Sequence, residues 1–247
     1  MNIKQYLDST YLKTAEQAGI NDSESKKINE QFIQEAIDEE FKLIMIRPEM
    51  VKMAKEMIVK AKSKVSIGTV IDFPQGQSSL EEKLSEATQA IADGADDLDF
   101  VCNYEAFKEG NIDLVKHEIL ECTRLGLEHH KIVKWIIEVA ALNPLQIIQL
   151  SALIKSIVMS NFKEDFYNSV FVKSSTGFYK TDNNLPNGAT VPTIIMMLEN
   201  ASPLPVKAAG GVRTHQEAVE MIKLGVKRIG TSSAKAIASG EVSNKDY

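Results

Sequence analysis

The sequence predicts an α/β fold, a (β/α)8 barrel of the TIM type in a single domain. Three observations predict it. Short runs rich in Val and Ile recur along the 247 residues, and most are apolar almost throughout, as strands covered on both faces are. Helical stretches with start and stop signals separate these runs. Strands joined through helices pair in parallel, and eight of them close into a barrel. An open doubly wound sheet is the alternative architecture. It usually carries a Gly-rich dinucleotide turn after its first strand, and nothing of that kind follows residue 10.

In order, "QYLDST" (5–10) reads as the first strand, and a short N-terminal helical extension carries Ile28, Phe32, Ala36 and Ile37. "KLIMI" (42–46) is the second strand, and Pro48 opens a helix with Val51, Ala54, Ile58 and Ala61 on one stripe. After "KVSIGTVI" (64–71), Ser78 and Glu81 have capping-box spacing, and Gly94 stops the helix they start. "DDLDFVC" (96–102) precedes a helix with Ile112, Val115, Ile119 and Cys122, ending at Gly126. "KIVKWIIEVA" (131–140) leads to a helix opened by Asn143-Pro144. "VFVKS" (170–174), "PVKAA" (205–209) and "KRIGTS" (227–232) complete the strands. Thr214 and Glu217 cap a helix that Gly225 closes, and the polar loop 178–190 is a candidate flap. Residues 1–247 form one domain in this reading, with 241–247 as a flexible tail.

Composition narrows the function. The formal net charge is −6, from 28 basic and 34 acidic residues, with no basic cluster dense enough for a nucleic-acid groove. No stretch approaches the roughly 18 apolar residues that a membrane helix requires, and "MNIKQYLDST" is polar from the start. Cys102 and Cys122 read as free thiols in a reducing compartment, so a cytoplasmic protein is expected. The four histidines fall on helices or a helix–strand connection, so no metal site is expected.

In such a barrel the active site forms at the C-terminal ends of the strands. The polar residues at or near those ends are Asp8, Arg47, Asp72, Asp99, Glu138, Lys173 and Lys207. A strand-end lysine can simply reach to water. Two of them on consecutive strands, with carboxylates on others, point to chemistry. Burial and a second cation both lower an amine's pKa, and a neutral amine attacks a carbonyl to form a Schiff base. One lysine would be nucleophile and the other its tuning neighbour. Asp99, between Leu98 and Phe100, is the candidate for proton transfer, or else a salt-bridge partner that neutralises the lysines. Gly210-Gly211 and "GTSS" (230–233), with Ser232 and Ser233, fall in the two loops where such barrels bind phosphate.

"FVKSSTGF", "VKAAGGVRT", "RIGTSS", "VIDFPQG", "GADDLDFVCN", "KWIIE" and "YLDSTYLK" together resemble the deoxyribose-phosphate aldolase family, over the whole chain and in order. The resemblance implies a class I aldolase with no metal or other cofactor, acting on 2-deoxy-D-ribose 5-phosphate. It implies Lys173 as Schiff-base lysine, Lys207 as its tuning lysine and Asp99 in a proton relay through water. Asp8, Lys134 and Glu138 match supporting polar residues. Thr176, Gly177, Gly210, Gly211, Ser232 and Ser233 match the phosphate-binding region. The chain ends in Tyr247, as some members do, where the tyrosine assists proton transfer at the enamine carbon. Many members carry Cys where this chain has Met45, which implies better tolerance of acetaldehyde here. Asp72 replaces a usually uncharged residue, and the 178–190 loop is longer than is typical. Expected partners are the phosphosugar and acetaldehyde, with no nucleic acid and no membrane, and a homodimer. Another phosphosugar aldolase or an isomerase on the same barrel is the alternative function, and a non-catalytic phosphosugar-binding protein is a further one.

Overall fold

Eight parallel strands pair in sequence order and close on themselves, β8 returning to β1. They are β1 (Leu7–Thr10), β2 (Leu43–Ile46), β3 (Ser66–Ile71), β4 (Asp97–Val101), β5 (Ile132–Ile136), β6 (Val170–Lys173), β7 (Val206–Ala209) and β8 (Arg228–Thr231). The structure is a computed structural model that describes residues 2–182 and 185–240. The outer helices are α1 (Ala15–Ala18), α2 (Asp22–Asp38), α3 (Val51–Ala61), α4 (Leu80–Asp93) and α5 (Tyr104–Lys108). They continue as α6 (Ile112–Glu128), α7 (Pro144–Asn161), α8 (Val191–Ala201), α9 (His215–Leu224) and α10 (Ala234–Ser239). The helical segment before β1 is a single 3-10 turn, Ile3–Tyr6, and the long α2 follows β1.

Three local expectations shift. The capping box before α4 is Ser79 with Glu82, one residue on from the expected pair. Ser78 instead donates through both its backbone N–H and its hydroxyl to Asp72, at 2.9 and 2.8 Å. Gly126 does not end α6 but lies inside it, where a Cβ would overlap the Val133 side chain. Glycine there buys close helix–sheet contact rather than a turn. The fifth strand ends at Ile136, because Glu138 turns left-handed at φ 54° and starts a 3-10 turn.

Strand alternation splits the barrel interior into two sectors. The β2–β3 side is apolar: Leu43, Met45 and Val70 cluster with Leu12, and Phe73 and Phe178 pack on them. Gly68 makes room for this sector, since a Cβ would come within 2.5 Å of Met45 Cε. The remaining sector is charged. Asp8, Asp97, Asp99, Lys134, Lys173, Lys207 and Arg228 all lie there, each under a tenth exposed. The outer faces of the strands meet the helices in one continuous core that includes Ile44, Leu98, Trp135 and Ile229.

Candidate active site

Lys173 is the last residue of β6, and it pairs in register with Lys207 on β7. Both side chains point inward, and Gly230 leaves space for the second, since a Cβ there would lie 3.1 Å from Lys207 Cε. The two ammonium nitrogens share one oxygen: Asp99 Oδ2 accepts from Lys173 at 2.9 Å and from Lys207 at 2.8 Å. The other oxygen of Asp99 accepts from Lys134 at 2.7 Å. Lys207 also pairs with Asp8 at 2.7 Å.

Electrostatics separates these groups. Burial pulls the Lys173 ammonium down, Asp99 opposes this, and Lys207 and Lys134 add to the fall; its pKa drops from 10.5 to about 8. Burial alone would raise Asp99, but Lys134, Lys173 and Lys207 outweigh it and hold its carboxyl well below the usual range. Asp8 likewise is lowered, because Arg228, Lys207 and Lys134 overcome its burial. Burial lowers Lys134 while Asp97 and Asp99 raise it, and the net direction is up. Lys173 is thus the amine that reaches its neutral form near physiological pH. A deprotonated amine at the mouth of a barrel can add to a carbonyl.

A cleft opens above Lys173. Thr10, Thr176, Gly177, Gly210, Gly211 and Ser232 are among its lining residues, as are Asn187 and Arg213. Gly177, Gly210 and Gly211 all have positive φ, at 81°, 77° and 86°, which bares their backbone to the cleft. Ser233 is buried beside this rim, and its N–H donates to Thr231 Oγ1 at 3.0 Å. The end of the 178–190 loop is fastened to the same rim. Ala189 N–H donates to the carbonyls of Ala209 and Gly210 at 3.1 and 2.8 Å, and Asn187 donates to Gly177 O at 3.2 Å. Gly188 packs so tightly that a Cβ would overlap the Gly210 carbonyl.

Glu138 stands beside Lys173 rather than on a strand. Its carboxylate accepts from the Thr176 backbone N–H at 3.1 Å and from the Thr176 hydroxyl. Burial pushes its pKa up, against those hydrogen bonds and the nearby Lys173 charge. A left-handed non-glycine backbone is strained, and here it aims the carboxylate at the β6 loop. Two other strand-end candidates serve the scaffold. Asp72 braces its own loop through Ser78 and lies 3.5 Å from Lys83. Arg47 donates to Leu12 O at 2.7 Å and lies over the Phe73 ring. Tyr247 lies outside the described residues.

Strand-end reasoning missed Asp97 and Arg228, which start β4 and β8. Asp97 Oδ2 accepts from Lys134 at 2.6 Å, and Arg228 Nε donates to Asp8 at 2.7 Å. Period-two alternation could have found both, since Asp97 and Asp99 share a strand face, as do Arg228 and Gly230. Arg213 and Asn187 were missed because they lie on loops. Among the described residues no group of three or more His, Cys, Asp and Glu could hold a metal ion.

A closed parallel barrel with a buried, activated amine beside a carboxylate under a glycine-rimmed cleft defines an enzyme of carbonyl chemistry. The chain belongs to the DeoC/LacD family of aldolases, whose family profile matches residues 13–242. It is 37% identical over 241 residues to a deoxyribose-phosphate aldolase of Thermococcus gammatolerans, covering 97% of this chain and 96% of that protein. It is 34% identical over 248 residues to the deoxyribose-phosphate aldolase of Streptococcus gordonii, covering all of both chains. Among solved structures, the aldolase QR15 superposes with a TM-score of 0.80 at 30% identity, covering 97% of this chain and 95% of that one. The tetrameric deoxyribose phosphate aldolase of Aeropyrum pernix gives 0.74 at 26% identity, covering 96% and 89%.

Proposed function

We propose that the chain is a deoxyribose-phosphate aldolase that works through a lysine Schiff base. It cleaves 2-deoxy-D-ribose 5-phosphate reversibly to D-glyceraldehyde 3-phosphate and acetaldehyde. The observation that carries the mechanism is the buried Lys173 amine, which opens onto the cleft and shares Asp99 Oδ2 with Lys207; burial and the neighbouring cations lower its pKa to about 8.

Neutral Lys173 adds to C1 of the open-chain sugar, and proton uptake with loss of water leaves an iminium. The C3 hydroxyl gives up its proton through water to Asp99. Electrons of the C2–C3 bond flow into the iminium, giving an enamine and free glyceraldehyde 3-phosphate. Protonation at C2 and hydrolysis then release acetaldehyde and restore the amine. Asp99 is held ionised by the Lys134 and Lys207 ammoniums and by the cationic nitrogen of Lys173, so it passes the proton on rather than keeping it. Lys207 is the tuning cation. Asp8, Lys134 and Glu138 support the pair. The phosphate sits at the rim of Thr176, Gly177, Gly210, Gly211, Ser232 and Ser233, where backbone N–H groups favour an anion. Tyr247 is assigned to proton transfer at C2.

The covalent imine supplies the electron sink, so the proposal includes no metal or other cofactor. The protein acts in the cytoplasm, in keeping with two buried free cysteines and with no described helix long and apolar enough to cross a membrane. Self-association as a homodimer is part of the proposal; the Aeropyrum relative also self-associates, as a tetramer. The test is a retro-aldol assay on deoxyribose 5-phosphate, with and without a chelator, followed by borohydride trapping and peptide mass spectrometry. Chelator-insensitive cleavage with the adduct on Lys173 is expected. An adduct on Lys207 would overturn the assignment.

A further inference from the structure

Six side chains inside the barrel close a ring in which the sign of charge alternates. Asp99 accepts from Lys134 at 2.7 Å, and Lys134 also donates to Asp97 at 2.6 Å. Asp97 lies 3.3 Å from Arg228 Nη2, and Arg228 Nε donates to Asp8 at 2.7 Å. Asp8 pairs with Lys207 at 2.7 Å, and Lys207 returns to Asp99 at 2.8 Å. Three carboxylates and three cations balance. Lys173 hangs on Asp99 at 2.9 Å as a fourth cation, outside the ring.

A buried site carries surplus charge at high cost. The ring is neutral only while its three cations stay protonated, so a Lys173 ammonium is a surplus on the ring that losing its proton removes; Glu138, the further carboxylate facing Lys173, is hydrogen-bonded by Thr176 and is not a member of the ring. Each ring ammonium touches two ring carboxylates, whereas Lys173 pairs with Asp99 alone among the three. The guanidinium cannot lose its proton, so Arg228 is the one ring cation of fixed charge. The groups facing Lys173 are Asp99 from β4, Lys134 from β5, Glu138 after β5 and Lys207 from β7. Asp97 and Arg228 stand one step further off, at the starts of their strands, and are not among the residues lining the cleft.

We propose that Asp97 and Arg228 are positioning residues that set the charge state of Lys173 through this closed ring. The inference rests on the reading of Lys173 as the nucleophile. The two residues then have opposite effects. Losing the Asp97 charge leaves the ring positive and drives the Lys173 proton off at lower pH. Losing the Arg228 charge leaves it negative and holds that proton to higher pH. Losing both restores neutrality.

The experiment uses Asp97→Asn, Arg228→Gln and the double variant. Lys173 is titrated directly, by the pH dependence of its reductive methylation with formaldehyde and cyanoborohydride, read by peptide mass spectrometry. The pH profile of kcat/KM is measured beside it. The expected midpoint moves down in the first variant and up in the second, each on the order of half a pH unit or more, and returns to the wild-type position in the double variant. Two shifts in the same direction, or none, would overturn the inference. Where one single variant fails to fold, the other decides together with the double: a single shifted in its stated direction with the double at the wild-type position supports the ring, and an unshifted single or a double displaced by about a pH unit refutes it. If borohydride labels another lysine while these methylation midpoints move as stated, the nucleophile reading falls and the ring stands.

Discussion

Replacing Lys207 with Met tests the electrostatic reasoning most directly. Lys173 and Lys207 donate to the same oxygen of Asp99 at 2.9 and 2.8 Å, so their nitrogens are no further apart than the two legs together. At a separation of about 5.7 Å and an effective dielectric of about 20, two unit charges repel by about 3 kcal/mol, or about 2 pK units. Removing the Lys207 charge therefore moves Lys173 from about 8 toward about 10. The neutral amine is the reactive form, so activity rises with pH through this pKa. At pH 7.5 the neutral fraction falls from about a quarter to about three in a thousand. The expected result is a loss of kcat/KM of roughly a hundredfold at pH 7.5 that is largely recovered near pH 10. The assay is the retro-aldol pH profile from pH 6 to 10.5. A loss of equal size at every pH, with the acid limb unmoved, would refute the argument.

Lys173→Met is expected to unfold at higher urea than the wild type at pH 7. The sign follows from linkage: the folded pKa of about 8 lies below the ordinary 10.5, so the unfolded chain binds more protons between these values and wild-type stability rises with pH there. The buried proton costs about 3 kcal/mol below pH 8, and the variant's advantage shrinks as pH approaches 10.5; a less stable variant at pH 7 contradicts this. Gly188→Ala, whose methyl would overlap the Gly210 carbonyl, is expected to raise KM for the phosphosugar at least about tenfold with a smaller change in kcat, and an unchanged KM would show that the loop's seat against Gly210 does not shape the rim. Met45 is buried in the apolar sector and its thioether carries no S–H to add to an aldehyde. Met45→Cys is expected to lose activity on preincubation with acetaldehyde where the wild type does not, and rapid inactivation of the wild type at concentrations harmless to Met45→Ala would count against it.

The strand order, the helix caps and the two lysines were legible because each is written locally. Thr214 with Glu217, Asn143 before Pro144, and Gly225 at φ 119° act over four residues or fewer. The slip from Ser79 to Ser78 at α4 shows the limit: adjacent serines offer the same spacing, and only the strand end at Asp72 decides which one caps. Gly126 reads as a helix stop because Gly commonly is one. Its actual role, contact with Val133, depends on a strand that the helix does not yet know.

The parallel barrel, the placement of Lys173 and Lys207 at adjacent strand ends, and the glycine-rich rim are all readable in the order of residues. Those follow from alternation, periodicity and turn chemistry, which are short-range. The charge ring is not readable there, because it forms between residues far apart in the chain. Arg228 meets Asp8 across 220 residues and Lys207 meets Asp99 across 108. Alternation says which side chains face inward, but the stagger of a closed barrel sets which of them meet, and that stagger exists only once β8 pairs with β1.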